Sequence, residues 1–304
     1  MIFPKKLVPG NTIGIVSPSS PVSAERAAQA QKALEALGFK VKLAENCSLS
    51  KGGYMAGDET LRGQILNDMF ADTSIDAIIC MRGGDGANRI LNKIDLNIVR
   101  ENPKIFIGYS DITFLHLLFN QACDLVTFHG PMVSSNIIDN FDEETKASFF
   151  AALNIGQSYT YNPPVGFPVL AARSGKACGP LIGGNLTVIC ASLGTPYEMD
   201  TKGKILFIEE IGEHIGNLDR HIYQLRDAGK LDDAAGILLG QFASCNNDED
   251  NYTIVNVILD ALGDHHIPVM YNIQSGHDFP LITLPMNAPC EMDADAGTIT
   301  FQMK

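Results

Sequence analysis

The sequence predicts an α/β protein, with a parallel sheet in its first half and a smaller α/β unit in its second. Three observations carry this. Apolar runs of strand length alternate with segments of helical period through the first 150 residues. A Pro-, Gly- and Ser-rich stretch interrupts the pattern near the middle. The alternation then resumes to the C-terminus. Strands separated by helices imply right-handed crossovers and a parallel sheet.

The elements follow in order. "TIGIVS" (12–17) reads as a buried strand, and a helix follows with Ser23 as its N-cap and Gly38 as its stop. "KVKLAE" is a second strand, "GDETLRGQILNDMFAD" a helix of good formers, and "IDAIICM" (75–81) a central strand that runs into "RGGDG". "KIFIGYS" is the next strand, with a helix from Asp111, then "LVTFHGP" and a helix near 142–154. We place a linker at 156–175, dividing the chain into domains at 1–155 and 176–304. In the second half Asn185 caps a helix ending at Gly194, and "KILFIEE" is a strand ending in two carboxylates. "GNLDRHIYQLRDAG" is a helix with Leu218, Ile222 and Leu225 on its apolar face. "AAGILLGQF", "YTIVNVILDALG" and "IPVMY" continue as strand, helix and strand, and short β-like pieces finish the chain.

Composition limits the partners. With 304 residues, 45% hydrophobic and a formal net charge of −13, the chain is globular and acidic, which disfavours nucleic acid and anionic membrane. No apolar run reaches the ~20 residues of a membrane helix, and the N-terminus carries no signal-like apolar core, so a cytoplasmic location is expected. The seven cysteines are scattered without a CxxC pair; free thiols are expected, Cys80 and Cys190 buried among apolar residues, with no metal site and no cofactor. "NNDED" (246–250) lacks the spacing and glycine of a calcium loop and reads as a solvated acidic loop.

Ligands on parallel sheets bind at the carboxyl ends of the strands. Three loops there carry unusual residues: "SPSSP", "RGGDG" and "GYSD". Ser110 has two readings. It can cap the following helix, or it can be a nucleophile presented at a tight strand-to-helix turn. The second glycine of G-x-S-x-G is absent, Ile112 standing in its place. The glycines of Arg82–Arg89 can offer bare N–H groups to a phosphate or an oxyanion, or can form a plain tight turn. A serine nucleophile needs a base and an orienting acid. His277, in a Gly-flanked loop after a strand, is the best-placed base, with His129 its rival; His116, His214, His221, His265 and His266 read as helix or turn residues. Glu209 and Glu210 end a buried strand and suit the acid, with Glu213 a looser option.

Seven stretches together carry a resemblance: "GYMAGDETLR", "MRGGDGANRIL", "GYSDIT", "FHGPM", "GGNL", "LFIEEIGEHIGNLDRHIYQL" and "SGHD". In this order they resemble the LD-carboxypeptidases, serine peptidases that trim peptidoglycan tetrapeptides, with the microcin-immunity peptidases as a sister branch. The resemblance implies a flavodoxin-like N-terminal domain, a smaller swivelling α/β C-terminal domain and a homodimer. It also implies a catalytic triad of Ser110, Glu209 and His277 meeting between the domains. Oxyanion donors carried across are the N–H groups of Asp111 and of Gly83 or Gly84. The substrate implied is a murein tetrapeptide that loses its terminal D-Ala. Arg82 or Arg89 could hold the terminal carboxylate, as could a helix N-terminus. Asp85 stands where the family usually has an aromatic residue, and is expected to alter the substrate-binding rim.

Overall fold

The structure, a computed structural model, describes residues 1–245 and 251–304. The acidic stretch 246–250 lies outside the described residues.

The predicted alternation of the first half builds one sheet. Its strands are β1 (Thr12–Val16), β2 (Lys40–Leu43), β3 (Ala77–Cys80), β4 (Ile105–Gly108) and β5 (Thr127–His129). They are mutually parallel in the order β2-β1-β3-β4-β5, the flavodoxin-like doubly wound order. β3 and β4 are buried along their whole length, as near-continuous Ile-rich runs of a two-sided sheet require. The crossovers include α1 (Ala24–Ala36), α2 (Glu59–Ala71), α3 (Leu96–Glu101) and α4 (Thr113–Cys123), and α5 (Glu143–Ala152) follows β5. Ser23 caps α1 through the Arg26 N–H, and Asp58 caps α2 through the Leu61 N–H.

Among the described residues the second sheet has eight strands. Residues 156–175, read from the sequence as the linker, contribute its two edge strands, β6 (Tyr159–Thr160) and β7 (Leu170–Arg173). The centre is β8 (Lys176–Asn185), β9 (Ile205–Ile211), β10 (Gly236–Ala243) and β11 (Val269–Tyr271), which run parallel to one another, while the pairing of β11 with β7 is antiparallel. β12 (Leu284–Met286) leaves this half and pairs antiparallel with β5 of the first sheet. β13 (Pro289–Asp293), antiparallel to β8, and β14 (Thr298–Phe301) complete the antiparallel side. Among the described residues this half has the helices α6 (Leu186–Ser192), α7 (Ile215–Asp227), α8 (Lys230–Asp233) and α9 (Ile254–Leu262). Leu218, Ile222 and Leu225 of α7 are buried, as their spacing predicted.

β8 escaped the sequence reading because Gly and Pro fill it. At Gly183 a Cβ would stand 1.9 Å from the Phe207 carbonyl oxygen, so only glycine lets β8 approach β9 so closely. Asn185 caps α6 by accepting the Val188 N–H, and its own N–H donates to Thr113 Oγ1 (3.1 Å), which ties the two sheets together at their carboxyl ends. All seven cysteines are free, and Cys80 and Cys190 are buried. Among the described residues no helix is long and apolar enough to cross a membrane.

Candidate active site

The turn after β4 holds Ser110 in an unusual conformation. Tyr109 is extended, then Ser110 adopts φ +66°, the left-handed region that costs a non-glycine residue about 1 kcal/mol. A 3₁₀ turn over Ser110–Ile112 leads into α4. The residues in cap position are Tyr109 for the turn and Ile112 for the helix, and neither makes a side-chain cap bond. Ser110 is therefore not the helix cap that its type suggested. It is half-buried and lines a cleft instead.

The second half supplies an imidazole–carboxylate pair. Glu209 lies on β9 with no solvent exposure, and its Oε2 bonds His277 Nδ1 at 2.7 Å. Gly276, just before His277, adopts φ +152°, and a Cβ there would stand 3.2 Å from that same Oε2. Burial works against the charged imidazole, but the Glu209 charge, its hydrogen bond and the Glu210 charge outweigh it, so the His277 pKa is raised. Burial likewise raises Glu209 against the opposing pull of His277.

Tyr109 brings the two parts together. Its ring meets His277 edge-on at 4.9 Å between centroids, one residue before Ser110. Among the described residues no hydrogen bond joins Ser110 to His277. Catalytic hydrogen bonds are often loose in unliganded enzymes and tighten with substrate.

The glycine turn after β3 lies against the serine. At Gly83 a Cβ would stand 2.9 Å from Ser110 Cβ and 3.1 Å from its Oγ, so the close approach requires glycine. Among the described residues the N–H groups of Gly83 and Gly84 donate to no protein acceptor. The Asp111 N–H, in the first turn of a helical segment, has no intrahelical partner by position. A cleft of about 450 Å³ opens here, lined by Gly84, Asp85, Arg89, Ser110, Asp111 and Glu213 among others. Arg82 is exposed and outside that lining, so of the two arginines Arg89 is the better placed to meet a ligand. Asp85 is exposed at the rim.

The other candidates fall elsewhere. His129 is fully buried between Tyr109 and Phe207, and burial, with His116 and His277 nearby, holds it well below the usual imidazole range. That suits a neutral packing residue better than a base. His116 is buried too, bonded to Thr127 and to the Gly108 carbonyl, and pushed down by burial to about 4. Glu210 is occupied: it accepts from Asn185, from the Thr187 N–H and hydroxyl, and from the Ile211 N–H. Glu213 accepts from Asn217, and His214 caps α7. His221 lies within α7, while His265 and His266 follow α9.

One residue of the site, Arg62, was missed in the sequence, and so was the role of the Asp111 side chain, whose backbone N–H alone was singled out. Arg62 is 1% exposed, with guanidinium bonds to the Gly86 carbonyl (2.9 Å) and the Pro18 carbonyl. The Asp111 carboxylate accepts from Ser19 Oγ (2.6 Å) and from the Ala87 N–H (2.8 Å). A signal for Arg62 existed: it sits on the buried stripe of α2 with Ile65, Leu66, Met69 and Phe70, where a lone Arg is out of place.

Comparison with known proteins agrees with this architecture. The LD-carboxypeptidase N-terminal domain matches residues 13–130 and the LD-carboxypeptidase C-terminal domain matches 178–292. The chain belongs to the LD-carboxypeptidase family. It is accordingly a hydrolase, a peptidase of the carboxypeptidase class. A probable murein peptide carboxypeptidase of Bacillus subtilis is 40% identical, over 98% of this chain and 94% of that one. The Escherichia coli microcin C7 self-immunity protein MccF is 28% identical over 97% of this chain and 94% of its own. MccF in complex with aspartyl sulfamoyl adenosine superposes with a TM-score of 0.93 at 26% identity, covering 100% of this chain and 99% of that one. Muramoyltetrapeptide carboxypeptidase from Oxalobacter formigenes gives 0.82 at 25% identity, covering 95% and 97%.

Proposed function

We propose that this LD-carboxypeptidase is a cytoplasmic serine enzyme of murein recycling, cleaving the L,D bond of peptidoglycan tetrapeptides to release the terminal D-Ala. One observation carries the reading: a serine held at positive φ at the sheet's carboxyl edge, one residue from a Tyr whose ring touches an imidazole bonded to a fully buried carboxylate. His277 takes the Ser110 proton, and Ser110 attacks the carbonyl of the penultimate, L-centred residue. The Asp111 N–H and a Gly83 or Gly84 N–H receive the oxyanion. His277 then protonates the departing D-Ala, and water hydrolyses the acyl-enzyme. Glu209 fixes the imidazole tautomer and stabilises the imidazolium. Arg89, in the cleft wall, is the side chain we assign to the substrate's terminal carboxylate. The reaction needs neither metal nor cofactor. We further propose a homodimer and a two-domain division at 1–155 and 176–304, which the positions of the two family matches support.

The likeness to MccF supports a second reading, hydrolysis of an aminoacyl- or peptidyl-nucleotide. The chain has no Trp to stack on a base, which favours the murein peptide. The test is a side-by-side assay of D-Ala release from a tetrapeptide and cleavage of a peptidyl-nucleotide. Turnover of the tetrapeptide, lost in Ser110→Ala, supports the first reading. Turnover of the nucleotide alone replaces it with the second.

A further inference from the structure

We propose that Arg62 and Asp111 act as positioning residues, a buried clamp that grips the Gly86–Ala87 peptide from both sides and so sets the Gly83–Gly84 turn against Ser110. Arg62 donates to the Gly86 carbonyl, and Asp111 accepts from the N–H of the same peptide unit at Ala87. The two grip a second loop in the same manner. Arg62 donates to the Pro18 carbonyl, and Asp111 accepts from the hydroxyl of Ser19, the next residue. The loops after β1, β3 and β4, neighbours at the carboxyl edge of the first sheet, are thereby joined through one guanidinium and one carboxylate.

Stability is a poor explanation for this arrangement. Both side chains are nearly excluded from solvent, and Arg62 Nε has no partner among the described residues. Burying charge in this way is costly, and well-packed apolar residues commonly serve stability as well or better. The location offers a reason. Among the described residues the Gly83–Asp85 part of the turn is otherwise held only by Ser20, whose N–H donates to the Gly83 carbonyl at 3.4 Å and whose Oγ accepts the Asp85 N–H at 3.2 Å. Free N–H groups are effective toward an oxyanion only when fixed at the right distance. The clamp fixes the far end of the turn that carries them, and it springs from Asp111, the residue that follows the nucleophile.

This inference rests on the reading of Ser110 as nucleophile, and the experiment separates the two. The full chain is assayed for D-Ala release from a murein tetrapeptide and for the rate of fluorophosphonate labelling, which also depends on the oxyanion donors. Arg62→Met and Asp111→Ala should each lower kcat and the labelling rate by about 100-fold, the scale of a 1 Å misplacement, with KM within about threefold. Asp111→Asn, which keeps one acceptor oxygen, should recover to within about tenfold of wild type. Because the two act as one unit, Arg62→Met/Asp111→Ala should fall no more than about threefold below the worse single variant. Folded single variants with wild-type kcat, or with the loss confined to KM, overturn the clamp. If the large variants do not fold, Ser19→Ala decides: a kcat loss of about two- to fivefold supports the clamp and an unchanged kcat overturns it. Turnover retained in Ser110→Ala removes the nucleophile itself. An inert Ser110→Ala beside a fully active Asp111→Ala removes the clamp alone.

Discussion

Asp111→Asn should change the pH dependence of stability in a direction the structure dictates. Burial pushes the Asp111 carboxyl up from 3.8 to about 6; the bonds from Ser19 and Ala87 and the charge of Arg62 oppose that rise, and the nearby Asp85 adds to it. The buried Cys80 thiol feels the same carboxylate, which adds to the rise of its pKa. Because the folded pKa lies above the unfolded one, the folded state binds the proton more tightly. Asp111 therefore adds to stability when protonated, and wild type loses that contribution as pH rises from about 4 through 6. A shift of about two pH units corresponds to about 3 kcal/mol. The carboxamide keeps an acceptor oxygen without the charge, so its contribution does not titrate. Relative to wild type, Asp111→Asn should gain about 2.5 kcal/mol between pH 4 and pH 7.5, the rest of the shift lying below pH 4, a swing in the Tm difference of roughly 5–10 °C. Denaturant or thermal unfolding of both proteins at several pH values measures it. Parallel curves would refute the burial argument. A relative gain on acidification instead would mean that Arg62 holds the carboxylate below its ordinary pKa.

Three further outcomes follow from the site. Ser110→Gly should abolish turnover yet stabilise the fold by about 0.5–1 kcal/mol, because glycine adopts φ +66° without strain; calorimetry beside an activity assay checks both. Glu209→Gln should lower the His277 pKa, because the Glu209 charge helps to raise it. The acid limb of the rate profile should then move to lower pH as kcat falls by about 10²–10⁴-fold, on the scale of other triad acids. Gly83→Ala should cut kcat by about 10²-fold or more with little change in KM, since its Cβ would stand 2.9 Å from Ser110 Cβ.

The fold was legible where local chemistry decides it. The run "IDAIICM" and the Ser23 and Asn185 caps follow from burial and hydrogen bonding within a few residues. β8 was not legible, because its glycines serve a close approach to a strand that follows later in the chain. Ser110 was legible as a site residue but not in its conformation. Its type suggested a cap, while the packing of the turn places it at positive φ with no capping bond. The His277–Glu209 pair could be named from strand ends and a late loop, but its 2.7 Å bond depends on two segments 68 residues apart. The partners of Arg62 and of the Asp111 carboxylate were hidden for the same reason: they are backbone groups and a serine hydroxyl on other loops, so the lone Arg on the buried stripe of α2 marked a buried guanidinium without saying what it holds.

The most direct test of the account is where a fluorophosphonate attaches. Intact-mass and peptide mapping should find one adduct per chain on Ser110, with labelling sharply slowed in His277→Ala and Glu209→Gln. An adduct on another residue, or labelling of Ser110 at the same rate without His277, would contradict the proposed triad.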